Sequence, residues 1–152
     1  MAEKHLQKMV RQVEIKSDGD VFHEILKSRP HHLSDMSPTV VQNVELLEGE
    51  FGTVGSIVMF NYNQDGKEKV VKHEILAIDE EKKSVSYKAI EGDLRELYKT
   101  FIITIHVDTD GENNLVTWTF DYEKLKEDVE DPNSVMDLLV AMTKDIENHH
   151  LK

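Results

Sequence analysis

Cysteine is absent from this chain of 152 residues, and the absence excludes several kinds of protein. Without thiols the chain has no disulfide framework, no thiolate metal ligand and no cysteine nucleophile, and a reducing compartment suits it. Long apolar runs are also lacking. Lys8 and Arg11 interrupt the first segment, which is neither a signal peptide nor a membrane span. We therefore expect a cytoplasmic protein with no integral membrane association.

Basic residues are too few to balance the acidic ones. The 18 Lys and Arg against 30 Asp and Glu give a formal net charge of −12, which repels phosphate backbones, so no nucleic-acid partner is expected. The acidic residues are spread along the chain, as is typical of a solvated surface. Proline and glycine are sparse, and no stretch rich in them divides the chain, so residues 1–152 are expected to form one domain.

Apolar residues at alternating and helical spacings predict the first elements of the fold. A half-buried strand is predicted from Met9 to Ile15, where apolar residues alternate. A short helix follows Ser17, whose hydroxyl is suited to an N-cap, and ends before Pro30. A second short helix is predicted from Pro30 to Met36, because proline is well tolerated at the first helical position.

Extended patterns dominate the middle of the chain and indicate a meander of antiparallel strands. The predicted strands are Val40 to Leu47, Ser56 to Tyr62, Lys67 to Ile78, Ser84 to Ile90, Tyr98 to Val107 and Leu115 to Lys124. Asp65 and Gly66 tolerate the positive φ of a type I′ turn, so a tight hairpin is predicted there. Together with the first strand, the sheet has about seven strands.

A long amphipathic helix is predicted at the end of the chain. Asp131 supplies an oxygen for the N-cap, and Pro132 suits the first turn. Its apolar stripe consists of Val135, Leu138, Leu139, Met142 and Ile146. The predicted class is therefore α+β, with a curved antiparallel sheet, a long C-terminal helix and two short helices.

The predicted sheet is too wide for one helix to cover, and this mismatch predicts a cavity. Seven strands about 4.8 Å apart span roughly 30 Å, whereas a helix with its side chains is about 10 Å wide. One strand face is nevertheless bulky and apolar, with Val58, Phe60, Tyr62, Val85, Tyr87, Ala89, Phe101, Ile103, Ile105, Trp118, Phe120 and Tyr122. If the sheet curls around the helix, the interior is either filled by these side chains or hollow, and a hollow interior indicates a ligand.

Short motifs along essentially the whole chain resemble those of one plant protein family. They are Pro30-His31-His32, the glycine-rich segment from Leu47 to Ser56, Ile90 to Leu94, Val116 to Trp118, Asp121 to Lys124, Lys144 to Glu147 and His149 to Leu151. Together they resemble the plant major latex protein-like family, which belongs to the birch-pollen allergen superfamily, also called pathogenesis-related class 10.

The resemblance implies a helix-grip fold, in which seven antiparallel strands and two short helices enclose a hydrophobic cavity around the C-terminal helix. It also implies binding of a small hydrophobic or amphipathic metabolite, such as a lipid, phenolic, terpenoid or hormone, for carriage, storage or defence. Family members that promote cyclisation or isomerisation leave an enzymatic role open, and the acidic charge disfavours the ribonuclease role reported for some. No cofactor is expected. A monomer is expected, with a dimer as the alternative.

Two features that suggest phosphate or metal binding are interpreted otherwise. The glycine-rich segment lacks the Gly-Lys-Ser/Thr ending of a phosphate-binding loop, so Gly49, Gly52 and Gly55 are interpreted as turn residues. The adjacent pairs His31-His32 and His149-His150 point in different directions on a helix. No metal site is therefore expected from them.

Interior aromatic and apolar residues are the candidates for contact with a ligand. The hydroxyls of Tyr62 and Tyr87 are suited to bind a ligand oxygen, and these tyrosines, followed by Lys99 and His32, are the candidates for catalysis. Phe51 is expected to fold over the mouth of the cavity. The predicted ligand-binding residues are Phe22, His32, Phe51, Val58, Phe60, Tyr62, Val85, Tyr87, Phe101, Ile103, Trp118, Leu138, Leu139 and Met142.

Overall fold

The fold consists of an antiparallel sheet, short helices and a long terminal helix. A computed structural model describes residues 7–16, 23–25, 32–64, 66–110 and 113–151. The strands are β1 Gln7–Ile15, β2 Val41–Glu48, β3 Ile57–Gln64, β4 Lys67–Asp79, β5 Ser84–Gly92, β6 Tyr98–Asp110 and β7 Asn113–Lys124. The helices are α1 Leu33–Met36, α2 Asp93–Leu97 and α3 Asn133–Leu151.

The seven strands form one sheet in the order β1-β7-β6-β5-β4-β3-β2. Strands β2 to β7 are neighbours in sequence and in space, and β1 adds to the free edge of β7. Register shifts interrupt the pairing of β2 with β3 and of β4 with β5. Such irregularities bend the strands and increase the twist, which allows the sheet to curve around α3.

The predicted apolar face of the sheet is the interior face. Across β6 and β7, Phe101 pairs with Tyr122 and Ile105 pairs with Trp118, and all four side chains are buried. Because side chains alternate along a strand, one register places this whole set on the same side of the sheet. The interior is therefore assembled from the aromatic and β-branched residues that the alternating pattern identified.

Helix α3 is attached to the sheet by burial of its apolar stripe and by polar contacts. Met136 and Ile146 are fully buried. The Trp118 indole Nε1 donates a hydrogen bond to Thr143 Oγ1 at 2.9 Å, which joins β7 to the middle of the helix. Ser37 Oγ donates to Asp145 Oδ2 at 2.6 Å and joins the end of α1 to the same helix.

The structure agrees with the sequence on the strands and differs in the short helices. Gln64 pairs with Lys67 and Gly66 has φ 82°, which confirms the tight hairpin, although Asp65 lies outside the described residues. Of the first predicted helix only residues 23–25 are described, and they are helical. The second begins at Leu33, later than predicted.

Helix α2 is not among the elements predicted from the sequence, and it follows directly after Gly92. Gly92 has φ 114°, and a Cβ at this position would lie 2.3 Å from the Val70 carbonyl oxygen. The carboxylate of Asp93 accepts a hydrogen bond from the Val70 amide at 2.7 Å. Close approach of β4 therefore requires glycine here and holds α2 against the sheet.

The start of α3 also differs from the prediction. The helix begins at Asn133, and the Asp131 carboxylate, predicted as an N-cap, instead accepts a hydrogen bond from Tyr122 Oη at 2.8 Å. Lys124 Nζ lies 3.0 Å from the same oxygen. Asp131 therefore joins the segment before α3 to the end of β7.

Candidate functional site

A cavity of about 90 Å³ lies between the sheet and α3. Among the predicted ligand-binding residues, its wall contains Phe60, Tyr62, Tyr87, Ile103, Trp118, Leu138, Leu139 and Met142. It also contains residues that were not among the predicted ligand-binding residues, namely Leu33, Val40, Val41, Val71, His73, Leu94 and Val135. Side chains fill most of the interior, and what remains is a small and almost entirely apolar space.

The other predicted ligand-binding residues lie elsewhere. Val58, Val85 and Phe101 are buried in the core and do not line the cavity. Phe51 is partly buried against the core, away from the cavity wall. His32 immediately precedes α1 and does not line the cavity either. The position of Phe22 lies outside the described residues.

Lys99, a candidate for catalysis, lies on the outer face of the sheet. It is on β6, where the pairing with β7 shifts register between Tyr98 and Thr100, and its side chain is 47% exposed. Its Nζ is 3.9 Å from the Glu123 carboxylate. The ammonium group is therefore directed to solvent, and the cavity contains only the tyrosines among the four candidates for catalysis.

A larger cleft of about 890 Å³ adjoins the cavity. It lies between α2, the segment after β7 and the first turns of α3. Its wall shares four residues with the cavity, namely Tyr62, Leu94, Val135 and Leu138. These four side chains therefore border both the apolar cavity and the cleft.

The cleft wall combines exposed apolar side chains with mainly acidic charged ones. Leu97 and Leu125 are about half exposed there, and the Leu125 amide donates to the Leu97 carbonyl at 3.0 Å. The charged residues around it are Lys69, Asp93, Glu96, Lys126, Asp128, Glu130, Asp131 and Asp137. The excess of carboxylates disfavours the approach of an anionic ligand.

The hydroxyl of Tyr62 is buried at the boundary between the cavity and the cleft. The residue is 8% exposed, and no described residue supplies a hydrogen-bond partner for its oxygen. Burial, with the nearby Asp93 charge, raises the pKa of the Tyr62 phenol well above its ordinary value. Burial likewise raises the pKa of Tyr87. Both phenols are therefore neutral at physiological pH and are suited to donate a hydrogen bond, not to act as a base.

His73 is the other buried polar residue of the cavity wall. It is 7% exposed and lies on β4, opposite Val58 and Ala89. Neither ring nitrogen has a hydrogen-bond partner in the part of the chain that the structure describes. Burial lowers the pKa of His73 to about 4, so the imidazole is neutral at physiological pH.

Alternation along β4 could have identified His73 from the sequence. Val71, His73 and Ile75 are all buried, whereas the intervening Lys72 and Glu74 are not. This period of two is visible in the chain, but the histidine breaks the apolar series. Leu94 could not be found in the same way, since it lies on the unpredicted helix α2.

The glycine-rich segment forms a turn between β2 and β3. Gly49, Gly52 and Gly55 all have positive φ, between 79° and 90°, which confirms their interpretation as turn residues. Thr53 Oγ1 donates to the Glu50 carbonyl at 2.7 Å, and Ser56 Oγ donates to the Thr53 carbonyl at 2.8 Å. These bonds stabilise the turn internally, and its residues do not line the cavity.

No group of three or more His, Asp or Glu side chains within the described ranges is arranged to hold a metal ion. No described helix is long and apolar enough to cross a membrane.

A curved seven-stranded antiparallel sheet around a long C-terminal helix defines the helix-grip class of α+β protein. The sequence profile described as the Pathogenesis-related protein Bet v 1 family matches residues 5–152. The chain belongs to this family, and the proteins most similar to it include major latex-like proteins.

Three relatives illustrate the similarity. MLP-like protein 34 of Arabidopsis thaliana is 43% identical over 142 residues, which cover 92% of this chain and 45% of that protein, so the chain spans about half of that relative. The crystal structure of major latex-like protein 151 from Panax ginseng is 54% identical, with a TM-score of 0.94 over 97% of this chain and 99% of that chain. Norcoclaurine synthase from Thalictrum flavum, solved in complex with dopamine and hydroxybenzaldehyde, is 20% identical to this chain. The two structures superpose with a TM-score of 0.80 over 97% of this chain and 88% of that chain, and at this identity they share the fold alone.

Proposed function

We propose that this protein binds a small hydrophobic or amphipathic plant metabolite between the sheet and α3. The ligand class comprises lipids, phenolics, terpenoids and hormones, and the role is carriage, storage or defence. The observation that carries the proposal is the apolar cavity itself, which is retained among closely packed side chains. An apolar void forfeits packing contacts and destabilises a fold, so its retention favours a role in binding.

The size of the cavity constrains the mode of binding. Its volume of about 90 Å³ is below the roughly 300–1,000 Å³ of typical ligand pockets. A guest larger than this space requires the wall to move, and Tyr62 and Leu138 border both the cavity and the cleft into which it would extend. Met142 on α3 is a flexible wall residue that is able to adapt to guests of different shape.

The proposed setting is a single domain that acts as a monomer in the cytoplasm, without a cofactor or a nucleic-acid partner. The absence of cysteine and the net charge of −12 support this setting.

The proposal is tested by titration with N-phenyl-1-naphthylamine, a neutral apolar fluorophore. Trp118 is the single tryptophan and lines the cavity, so energy transfer from it to the probe reports a guest nearby. Val71→Phe adds a ring to the cavity wall, and we expect it to weaken probe binding at least about tenfold.

The matched control is Val10→Phe on the edge strand β1, where the side chain is 51% exposed. This variant is expected to bind the probe as the unchanged protein does. Absence of energy transfer in the unchanged protein, or equal binding by the folded Val71→Phe variant, would contradict binding in the cavity. Thermal unfolding of both variants verifies that they are folded.

We propose, as a second candidate, a cyclase or isomerase that acts on a terpenoid or alkaloid intermediate. The neutral hydroxyls of Tyr62 and Tyr87 in the cavity wall favour it, because a buried phenol is able to polarise a carbonyl by donating a hydrogen bond. The fold shared with norcoclaurine synthase is compatible with this role.

The enzymatic candidate is tested with dopamine and hydroxybenzaldehyde, the pair bound by that synthase. Chromatography would detect a condensation product. The candidate predicts product formation that Tyr62→Phe or Tyr87→Phe reduces at least about tenfold. No product above the uncatalysed background excludes this reaction, and turnover unchanged by both substitutions removes the tyrosines from it.

A further inference from the structure

His73 is a polar residue in a place where an apolar side chain would pack as well. Its ring lies edge-on to Phe60, at 5.4 Å between centroids, and 5.8 Å from the ring of Tyr87. These contacts would suit a phenyl ring equally. What distinguishes histidine is its pair of nitrogens, and neither of them is hydrogen-bonded to a described residue.

A neutral imidazole carries one N–H donor and one acceptor nitrogen. Leaving such groups buried without partners is destabilising, so the protein gains if a guest provides one. The cavity surface is almost entirely apolar, and a guest that packs against the imidazole is able to supply that partner. The imidazole therefore defines a polar point in an apolar binding site.

The polar group of the guest is expected to be uncharged. An ionised group loses its hydration in an apolar cavity, and a neutral imidazole provides no compensating charge. Anions are further opposed by the carboxylates around the cleft, among them Asp93, Glu96 and Asp128. A hydroxyl group meets the requirement, because it both donates and accepts and therefore pairs with either nitrogen of the ring.

We propose that His73 recognises a hydroxyl group on an otherwise apolar, uncharged ligand, which makes phenols and alicyclic alcohols the preferred guests. The inference rests on the proposed function, since it specifies the ligand class of the same cavity. Tyr62 is a less direct partner for a small guest held at this point. On β3 it lies four residues from Val58, the residue opposite His73, which corresponds to about 13 Å along the strand.

The experiment compares three bicyclic probes that differ in one substituent: naphthalene, 2-naphthol and 2-naphthoate. Calorimetric titration of the unchanged protein is expected to give about tenfold tighter binding of 2-naphthol than of naphthalene, the effect of about one hydrogen bond. The anion 2-naphthoate is expected to bind at least about tenfold more weakly than 2-naphthol.

The substitution His73→Phe keeps an aromatic ring and removes both nitrogens. In this variant we expect naphthalene to bind at least as tightly as 2-naphthol, because the hydroxyl then has no partner at this site. The matched control is His106→Phe on the outer face of β6, where the histidine side chain is 38% exposed. That variant is expected to retain the preference for 2-naphthol.

The outcomes separate this inference from the proposed function. If none of the probes binds the unchanged protein, the proposed function fails. If naphthalene and 2-naphthol bind equally well, or if 2-naphthoate binds best, the function stands and this inference is wrong. A preference that persists in folded His73→Phe also overturns it.

A measurement on the unchanged protein decides the question if His73→Phe does not fold. The ¹⁵N resonances of the imidazole are expected to shift when 2-naphthol is added and to shift less when naphthalene is added. Equal shifts with both probes would contradict a hydrogen bond from the hydroxyl to His73.

Discussion

At the scale of single residues, the tyrosines of the interior differ in what their hydroxyls contact. Tyr98 Oη donates to the Glu130 carbonyl at 2.6 Å, and Tyr122 Oη donates to Asp131 at 2.8 Å. Burial, with nearby acidic groups, raises the pKa of each of these phenols to about 12. Tyr62 has no such partner among the described residues. The first two hydroxyls therefore stabilise the fold, whereas burial of the Tyr62 hydroxyl is not offset by a hydrogen bond to a described residue.

This difference predicts that replacing tyrosine with phenylalanine affects the free energy of unfolding differently at Tyr62 and at Tyr122. Tyr62→Phe removes a buried polar atom without a partner, so the free energy of unfolding should stay the same or increase. Tyr122→Phe removes a hydrogen bond and should lower it by about 1 kcal/mol. Urea unfolding of the two variants provides the comparison. An equal loss in both would show that Tyr62 Oη has a stabilising partner in the folded protein.

His73 predicts a pH dependence of stability. Its pKa is about 4 in the folded protein against an ordinary value of 6.5, so the unfolded chain binds more protons between these values. The folded state holds His73 in its neutral form. The contribution of this residue to the free energy of unfolding is therefore fully present above pH 6.5, and it is lost as the pH falls towards 4. Between pH 7 and pH 5 we expect a loss of about 2 kcal/mol.

Urea unfolding at the two pH values measures this loss. Between pH 7 and pH 5, the folded His73→Phe variant should lose about 2 kcal/mol less stability than the unchanged protein does. A pH dependence identical in the two proteins would contradict burial of a neutral His73.

At the scale of secondary-structure elements, α3 depends on a buried hydrogen bond for its attachment to the sheet. Trp118 Nε1 donates to Thr143 Oγ1, and Thr143 Oγ1 donates in turn to the Leu139 carbonyl at 2.7 Å. The apolar pattern of the helix identified Leu139 and Met142 but not Thr143, which is fully buried. A hydroxyl on the inner face satisfies the indole N–H, a requirement that hydrophobic periodicity does not reveal.

Thr143→Val keeps the shape of the side chain and removes that acceptor. We expect the free energy of unfolding to fall by about 1–3 kcal/mol, because the buried indole N–H then has no partner. Thr117→Val on the outer face of β7 is the control and should change it by less than about 0.5 kcal/mol. A similarly small effect at both positions would contradict this role of Thr143.

Gly92 predicts a second effect at this scale, at the junction of β5 and α2. Gly92→Ala should lower the free energy of unfolding on the order of 3 kcal/mol, since the added Cβ meets the Val70 carbonyl and φ is 114°. Gly66→Ala, with φ 82° and open space around it, should lower it by only about 1–2 kcal/mol. Thermal and urea unfolding of the two variants test the difference. Equal losses would mean that β4 does not approach Gly92 closely.

At the scale of the whole molecule, the sequence predicts the sheet better than it predicts the site. Alternation is local, so the inward set from Val58 to Tyr122 follows from the pattern. The position of the cavity depends on which inward side chains do not touch each other once the core is packed. Val58, Val85 and Phe101 point inward but lie in the filled part of the core. Leu33 lines the cavity from the short helix α1 and Val40 from the segment before β2, and strand alternation predicts the position of neither.

The central claim is that the space between the sheet and α3 holds an apolar guest. NMR with methyl-labelled methionine and bound N-phenyl-1-naphthylamine tests it most directly. Met142 lines the cavity, whereas Met59 lies between the inward Val58 and Phe60 and so is on the outer face of β3. The claim predicts nuclear Overhauser effects from the probe to the Met142 methyl and none to Met59. Contacts to Met59 with none to Met142 would contradict it.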